Sequence, residues 1–385
     1  MTIGSATLDG HLVDVVVDEG VISSITPHVP QAVDVNANGL ALFPGLCNMH
    51  SHAPMVLFRG LGDDQPLSRW LNDYIWPAEQ KLDDDLVYRG TMRACQEMLA
   101  SGTTFFNDMY FYLPAMTRAV ADSGIRARLG FNVFGDATEL DDHQVIDLLA
   151  SGNGRLSFSV APHSIYTVST TGLRRSAEAC KALGLKMHIH MSETEREVND
   201  CMEQHGCRPW EWLDRLGVLD LLGNNIIAAH CLHLSQHEIE LIGAHGITCV
   251  HCPNSNLKLG SGFRFPMLEL IEAGATVAIG TDGAASSNNL DMLEATKVAA
   301  LLQKGWRSDA TVADARTVFG LATMRHTIAV GQPADFFLVK LNTFEPLPMP
   351  PDRTLSTLIY ATHGESVEMT VVDGKVVYSK QSPTA

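Results

Sequence analysis

Residues 40–52 read LALFPGLCNMHSH. An apolar run ends in two histidines, His50 and His52, separated by one residue. A run of this kind reads as a buried strand. Residues i and i+2 of a strand face the same side, so both imidazoles leave the strand end in one direction. Two imidazoles so placed can bind one ion. They form only part of a site, and the rest has to come from elsewhere in the chain.

Seven further strand candidates follow: TTFFND (103–108), ARLGFNVFG (127–135), RLSFSVAPH (155–163), KMHIHMSE (186–193), NIIAAHC (225–231), ITCVHCP (247–253) and ATVAIGTDG (275–283). Helical segments alternate with them. LDDDLVYRGTMRACQEMLASG (82–102) starts on acidic Asp83–Asp85, carries a stripe of Val87, Ala94, Cys95, Met98 and Leu99, and stops at Gly102. Strand–helix alternation implies parallel strands, and eight such units predict a TIM-like (β/α)8 barrel over residues 44–330. Both ends of the chain look different. LVDVVVDEGVISSITP (12–27) and EMTVVDGKVVYS (368–379) alternate around DEG and DG turns, and ADFFLVKL (334–341) is a further strand. Residues 1–43 and 331–385 are expected to pair into a small flanking β-sandwich domain.

Composition narrows the partners. With 27 basic against 44 acidic residues the net charge is −17, a surface that repels phosphate backbones, so nucleic acid is not expected. No stretch reaches the roughly 20 apolar residues of a membrane span. The N-terminal MTIGSATLDG lacks a signal-peptide pattern, and the eight scattered cysteines read as reduced thiols. A small-molecule enzyme of the cytoplasm is the expectation.

In such barrels chemistry gathers at the C-terminal strand ends. Those ends carry His50 and His52, His163, His190 followed by Glu193, His230, His251 and Asp282. Imidazoles with a carboxylate suit Zn²⁺, with Fe²⁺ or Mn²⁺ as weaker options. Cys249 and Cys252 have the spacing of a zinc knuckle, but no second pair of that spacing exists.

The motifs FPGLCNMHSH, HIHMSETEREV, IIAAHCLHLS, VHCPNSNLKLGSG and GTDGAASSNNLDM resemble the amidohydrolase superfamily. The nearer likeness is to its aminohydrolase branch, which includes the 5′-methylthioadenosine/S-adenosylhomocysteine deaminases and the triazine hydrolases. That resemblance implies one Zn²⁺ on His50, His52, His190 and Asp282. It implies catalytic roles for Glu193 as the acid/base, His230 as the group positioning the attacking water, and Asp282. The end of the fourth strand, SVAPHSIY, has no lysine where binuclear relatives carry a bridging one, which favours a single metal. The segment 52–82, HAPMVLFRGLGDDQPLSRWLNDYIWPAEQKL, resembles the substrate loop of the same deaminases. Substrate binding by Glu79, Trp76, His163 and Glu193 follows by likeness, with Glu79 on the ribose hydroxyls. Relatives are commonly homo-oligomers, so a dimer or tetramer is expected.

Two departures matter. LGFNVFGDATELDDHQ (129–144) holds four acidic residues and no arginine or lysine, so a carboxylate-bearing tail would meet no cation. Apolar Phe131, Val133 and Phe134 suit a short 5′ end better. The expected activity is deamination of 5′-methylthioadenosine, adenosine or 5′-deoxyadenosine rather than S-adenosylhomocysteine, with a triazine, guanine or cytosine as the alternative substrate. Residues are also missing before GQPADFFLV (331–339), so a short last barrel helix is expected.

Overall fold

The computed structural model describes residues 1–137, 143–341 and 351–380. Sixteen strands form two sheets among the described residues. The terminal strands are β1 Thr2–Leu8, β2 His11–Asp18, β3 Val21–Pro27, β4 Val35–Asn36 and β5 Ala41–Pro44. The barrel strands are β6 Leu46–Ser51, β7 Thr103–Tyr110, β8 Arg126–Val133, β9 Leu156–Pro162, β10 Lys186–Met191, β11 Ile226–His230, β12 Thr248–His251 and β13 Thr276–Ile279. Then come β14 Phe336–Val339, β15 Val367–Val372 and β16 Lys375–Ser379.

β6 to β13 pair in parallel, in chain order, with helices between them. This is the eight-stranded barrel expected from the sequence. The helix Asp84–Ala100 shows how local signals work. Asp83 accepts the Leu86 N–H as N-cap, and Val87, Ala94, Cys95, Met98 and Leu99 are all buried. The last barrel helix, Ala315–Ala322, has eight residues, and Met324 and Arg325 beyond it adopt left-handed φ of 49° and 60°.

The termini form a mixed sheet in the order β16-β15-β14-β5-β1-β2-β3, with β4 on β1. Its far ends come back together. Val21 bridges Pro333, and Gly374 donates its N–H to the carbonyl of Ala334. Side chains from β1, β2, β3, β5, β14 and β15 share one core. β14 alternates strictly. Phe336 and Leu338 fill that core, while Phe337 and Val339 join the helix-facing core of the barrel. Arg126 at the start of β8 adds a polar tie, donating Nε to Asp335 at 2.6 Å and Nη2 to Asp373 at 2.9 Å.

The run 40–52 reads as one strand in sequence but divides at Gly45. β5 pairs with β14, and β6 pairs with β7. A Cβ at Gly45 would lie 2.0 Å from Oγ1 of Thr104, so only glycine lets the chain pass between the sheets here.

The barrel closes without a ladder between β13 and β6. Asp282 N–H donates to the His50 carbonyl at 3.0 Å. The Asn48 side chain bridges the same seam, accepting from Thr281 N at 3.0 Å and donating to Thr281 Oγ1 at 2.7 Å. At Gly280 a Cβ would sit 2.7 Å from His50 N and 2.9 Å from its carbonyl oxygen, both backbone atoms that cannot swing aside. Gly280→Ala should therefore destabilise the protein by about 1–3 kcal/mol or more through overpacking and weaken metal retention with it. Urea unfolding and metal analysis check this; a wild-type midpoint with full metal content would contradict the closure described.

Candidate active site

Strand ends of the barrel bring the sequence-designated residues together. His52, Trp76, Glu79, His163, His190, Glu193, His230 and Asp282 line one pocket, and His50 lies buried directly beneath it. The pocket, about 80 Å³, opens past Leu67, Trp76, Tyr166 and Leu259 into a cleft of about 1110 Å³.

Four ligand-type groups converge at its floor. His52 Nε2 lies 3.3 Å from His190 Nε2 and 3.3 Å from Asp282 Oδ1, and His50 Nε2 lies 3.5 Å from the same oxygen. Nδ1 of His52 donates to the Met109 carbonyl at 2.6 Å, and Nδ1 of His190 to the His163 carbonyl at 2.7 Å. Each Nε2 is then a bare lone pair, and the two lone pairs face each other. His50 Nε2 is buried with no hydrogen-bond partner. Lone pairs so arranged repel unless a cation lies among them. Tetrahedral Zn²⁺ with ligands at 2.0–2.1 Å would separate them by about 3.3–3.4 Å, so the residues fit such an ion. Two overlapping triads, His50–His52–His190 and His50–His230–Asp282, bring their ligand atoms within 4.8 Å of one another.

Charge states also suit a cation. Burial lowers the pKa of His50 to about 4 and that of His190 well below its usual value, so both are neutral imidazoles at pH 7. Burial acts to raise Asp282, but the His50 imidazole 3.5 Å away and the neighbouring histidines outweigh it and hold the carboxyl well below the usual range.

Strand alternation alone does not build this site. Cys47 and Met49 of β6 point into the barrel with Ile227, Val250 and Ala278, so strict alternation would turn His50 outward. A bulge intervenes. Asn48 pairs with Phe106 and Ser51 with Asp108, so Met49 and His50 stand opposite Asn107 alone, and the extra residue swings His50 inward. On β11, Ile226 and Ala228 face the helices, and His230 would follow them. Instead His230 and Cys231 take left-handed φ of 75° and 48°, which rotates the imidazole into the mouth. Ser192 (51°) and Asp282 (65°) are left-handed as well. Strained backbone thus clusters at the ends of β10, β11 and β13.

A surrounding layer, unread in the sequence, holds these groups. Glu197 accepts N–H groups from Ser192 (2.7 Å) and Glu193 (2.8 Å) and so clamps the Glu193 backbone. Burial pushes Glu197 up to about 8 against those two bonds. Ser261 Oγ donates to Glu193 Oε1 at 3.1 Å, and Ser255 Oγ donates to Asp282 Oδ2 at 2.6 Å. Asn256 Nδ2 lies 2.9 Å from His230 Nδ1, and His188 Nε2 lies 2.9 Å from His50 Nδ1. The spacing of Glu197, four residues after Glu193 on a helix start, was the available sequence signal.

The lid over the pocket is Leu67–Glu79, with a π-helical turn at Trp70–Ile75 of the kind that marks functional sites. Lys258 Nζ pins the preceding loop, donating to Asp63 and Asn288 at 2.6 Å each. Glu79 Oε1 accepts from Tyr110 OH at 2.8 Å, which leaves Oε2 for a ligand; burial raises its pKa. His163 stacks on Phe134 (4.9 Å, 23°), which stacks on Phe111 (5.9 Å, 17°).

Some expected positions lie elsewhere. Phe131 and Val133 face the helix layer, and only Phe134 of that trio lines the pocket. His251 has the outward parity of Cys249 and stacks on Phe265 (4.4 Å, 6°), away from the pocket. Cys249 and Cys252 belong to cores on opposite sides of the barrel wall, so they form no knuckle. Of the acidic run after β8, Asp136 is described, and Glu139, Asp141 and Asp142 lie outside the described residues.

The amidohydrolase family model matches residues 41–377. A 5′-deoxyadenosine deaminase of Methanothermobacter thermautotrophicus is 39% identical over 358 residues, 89% of this chain and 83% of that protein. A 5-methylthioadenosine/S-adenosylhomocysteine deaminase of Moorella thermoacetica is 39% identical over 363 residues, 90% of this chain and 83% of its own length. An adenosine deaminase from Xanthomonas campestris, solved with bound zinc, superposes with a TM-score of 0.88 at 34% identity, covering 97% of this chain and 92% of that one.

The buried titrating groups give a pH prediction for metal-free protein. Burial depresses five histidines: His50 to about 4, His163 and His251 to about 3, and His188 and His190 well below normal. Near pH 5 the unfolded chain protonates all five and the folded chain does not. Burial raises Asp108 to about 7 and Glu197 to about 8, so there the folded chain holds two protons that the unfolded chain mostly lacks. Burial raises Glu79 and Asp291 as well, but the five histidines outnumber these carboxyls, so the unfolded state binds more protons and stability falls as pH drops from about 6.5 towards 4. Thermal melts of chelator-treated protein should show Tm declining through that window. A Tm that rises or stays level there would contradict the buried, neutral histidine cluster.

Proposed function

The chain belongs to the amidohydrolase family, and from that premise we propose that it is a hydrolytic deaminase of adenine nucleosides working with one Zn²⁺. The observation that carries this reading is the grouping of Glu193, His230 and Asp282 around the four-ligand cluster, with Glu79 across the same pocket. His50, His52, His190 and Asp282 would hold the ion. A divalent cation there supplies activation of water for attack at neutral pH.

The chain's own groups do the rest. Asp282 accepts the proton that the attacking water loses. Glu193, whose Oε1 is fixed by Ser261, protonates the ring nitrogen beside the attacked carbon through Oε2; Asp282 then hands the water's proton to the amine, which leaves as ammonia, and the new hydroxyl's proton returns to Glu193 as the carbonyl forms. His230, whose Nε2 lies 3.7 Å from Glu193 Oε2, holds the nucleophile. Glu79 and Trp76 receive the ribose, where a carboxylate is a good reader of a cis-diol. The Phe111–Phe134–His163 stack lies along the pocket wall and supports an unadorned or thioether 5′ end over a charged one. Deaminase names among relatives near 40% identity support the nucleoside class, and a zinc-bound neighbour supports the metal. Eight free cysteines, all buried, support a reducing compartment such as the cytoplasm. Among the described residues no helix is long and apolar enough to cross a membrane.

Ammonia release across 5′-methylthioadenosine, 5′-deoxyadenosine, adenosine, S-adenosylhomocysteine, guanine, cytosine and melamine tests the reading. Turnover of the first three ahead of S-adenosylhomocysteine is expected; no turnover of any adenine nucleoside would sink it. Glu193→Gln should keep one metal per chain and lose activity by at least about 10²-fold. Glu79→Gln should cut kcat/KM for nucleosides by about 10–100-fold, the worth of one hydrogen bond to a charged group. An unchanged kcat/KM would remove Glu79 from ribose binding.

A further inference from the structure

Resting on the deaminase reading, we infer that Asn256 is a positioning residue that fixes the tautomer of His230 and so makes it a hydrogen-bond donor rather than a metal ligand. Asn256 is fully buried on the helix Pro253–Lys258, directly after β12. Its Nδ2 faces His230 Nδ1 at 2.9 Å. An amide N–H needs an acceptor, so Nδ1 carries the lone pair and the ring proton sits on Nε2.

The histidines on either side of the cluster are wired the other way. Nδ1 of His52 and of His190 meets a backbone carbonyl, which demands a proton on Nδ1 and leaves Nε2 bare. One site thus contains two opposite settings of the same side chain. The bare Nε2 atoms of His52 and His190 can ligate a cation. The Nε2–H of His230 cannot, and it points to Glu193 Oε2 at 3.7 Å. This sets His230 apart from His52 and His190: those two can bind the ion, and His230 donates to what the ion and Glu193 act upon.

Asn256 does not act alone. Two neighbours on the same short segment sort the oxygens of the catalytic carboxylates. Ser255 occupies Asp282 Oδ2 and leaves Oδ1 towards His50 and His52, while Ser261 occupies Glu193 Oε1 and leaves Oε2 towards His230. The segment 253–261 therefore decides which atom each of three catalytic groups presents.

Asn256→Asp is the sharpest test, because a carboxylate can only accept and would draw the ring proton to Nδ1. Zinc-loaded full-length protein, labelled with ¹⁵N-histidine, reports the tautomer directly, with His230→Gln identifying the resonance. The wild type should show His230 protonated on Nε2, and Asn256→Asp should move that proton to Nδ1. With the most active nucleoside, Asn256→Asp should lower kcat about 10–100-fold at one zinc per chain, with KM changed less than twofold. Asn256→Ala should lower kcat too, by no more than Asn256→Asp does. A wild-type His230 carrying its proton on Nδ1, or wild-type kcat in Asn256→Asp, overturns the assignment. If Asn256→Asp does not fold, wild-type kcat in Asn256→Ala overturns it equally. Should no nucleoside be turned over by the wild type, the deaminase reading fails while the nitrogen spectrum still decides the tautomer.

Discussion

Three imidazole nitrogens and a carboxylate oxygen aimed at one buried point are mutually repulsive, and much of this molecule exists to hold them there. Their separations of 3.3–3.5 Å leave room for a cation and for little else. The cost of that arrangement is met by backbone far from any helix surface. The seam bond from Asp282 N to the His50 carbonyl fixes the last candidate ligand against the first, across a separation of 232 positions in the chain. A closed parallel barrel is what makes such a bond possible, since it brings the first and last strands side by side.

Strain and satisfaction divide the labour around the cluster. Left-handed Ser192, His230, Cys231 and Asp282 put side chains where regular strands would not, at a cost of order 1–3 kcal/mol each. The hydrogen bond that Glu197 accepts from Ser192 N and those that Ser255 and Asn256 make to Asp282 and His230 over-determine those conformations. The lid contributes separately. Lys258 sits on the same segment as Ser255 and Asn256 and ties it to Asp63 and Asn288, so the cover of the pocket and the groups beneath it share one short piece of chain.

The sequence made the large-scale features legible because they rest on periodicity. Eight apolar runs alternating with amphipathic helices, and two hairpin-like ends, are patterns of hydrophobic spacing. The candidate ligands were legible because histidine and aspartate at strand ends are chemically conspicuous. Parity was not. The bulge between Asn48 and Ser51 leaves no mark in LCNMHSH, yet without it His50 would face the helices. His251 looked equivalent to His230, and only the backbone turn at His230 separates an inward imidazole from one stacked on Phe265. The division of residues 40–52 at Gly45 depends on the close approach of Thr104, a contact 59 residues away in sequence. Ser255, Asn256 and Ser261 sat inside a quoted motif, but small polar residues act through geometry that sequence alone does not display.

X-ray absorption at the zinc edge, on protein loaded with one equivalent of Zn²⁺, tests the central claim most directly. The account predicts a four-coordinate or nearly four-coordinate ion with about three imidazoles at roughly 2.0–2.1 Å, a carboxylate oxygen and no sulfur, at one ion per chain. A sulfur shell near roughly 2.3 Å, or a second zinc within about 4 Å, would contradict it.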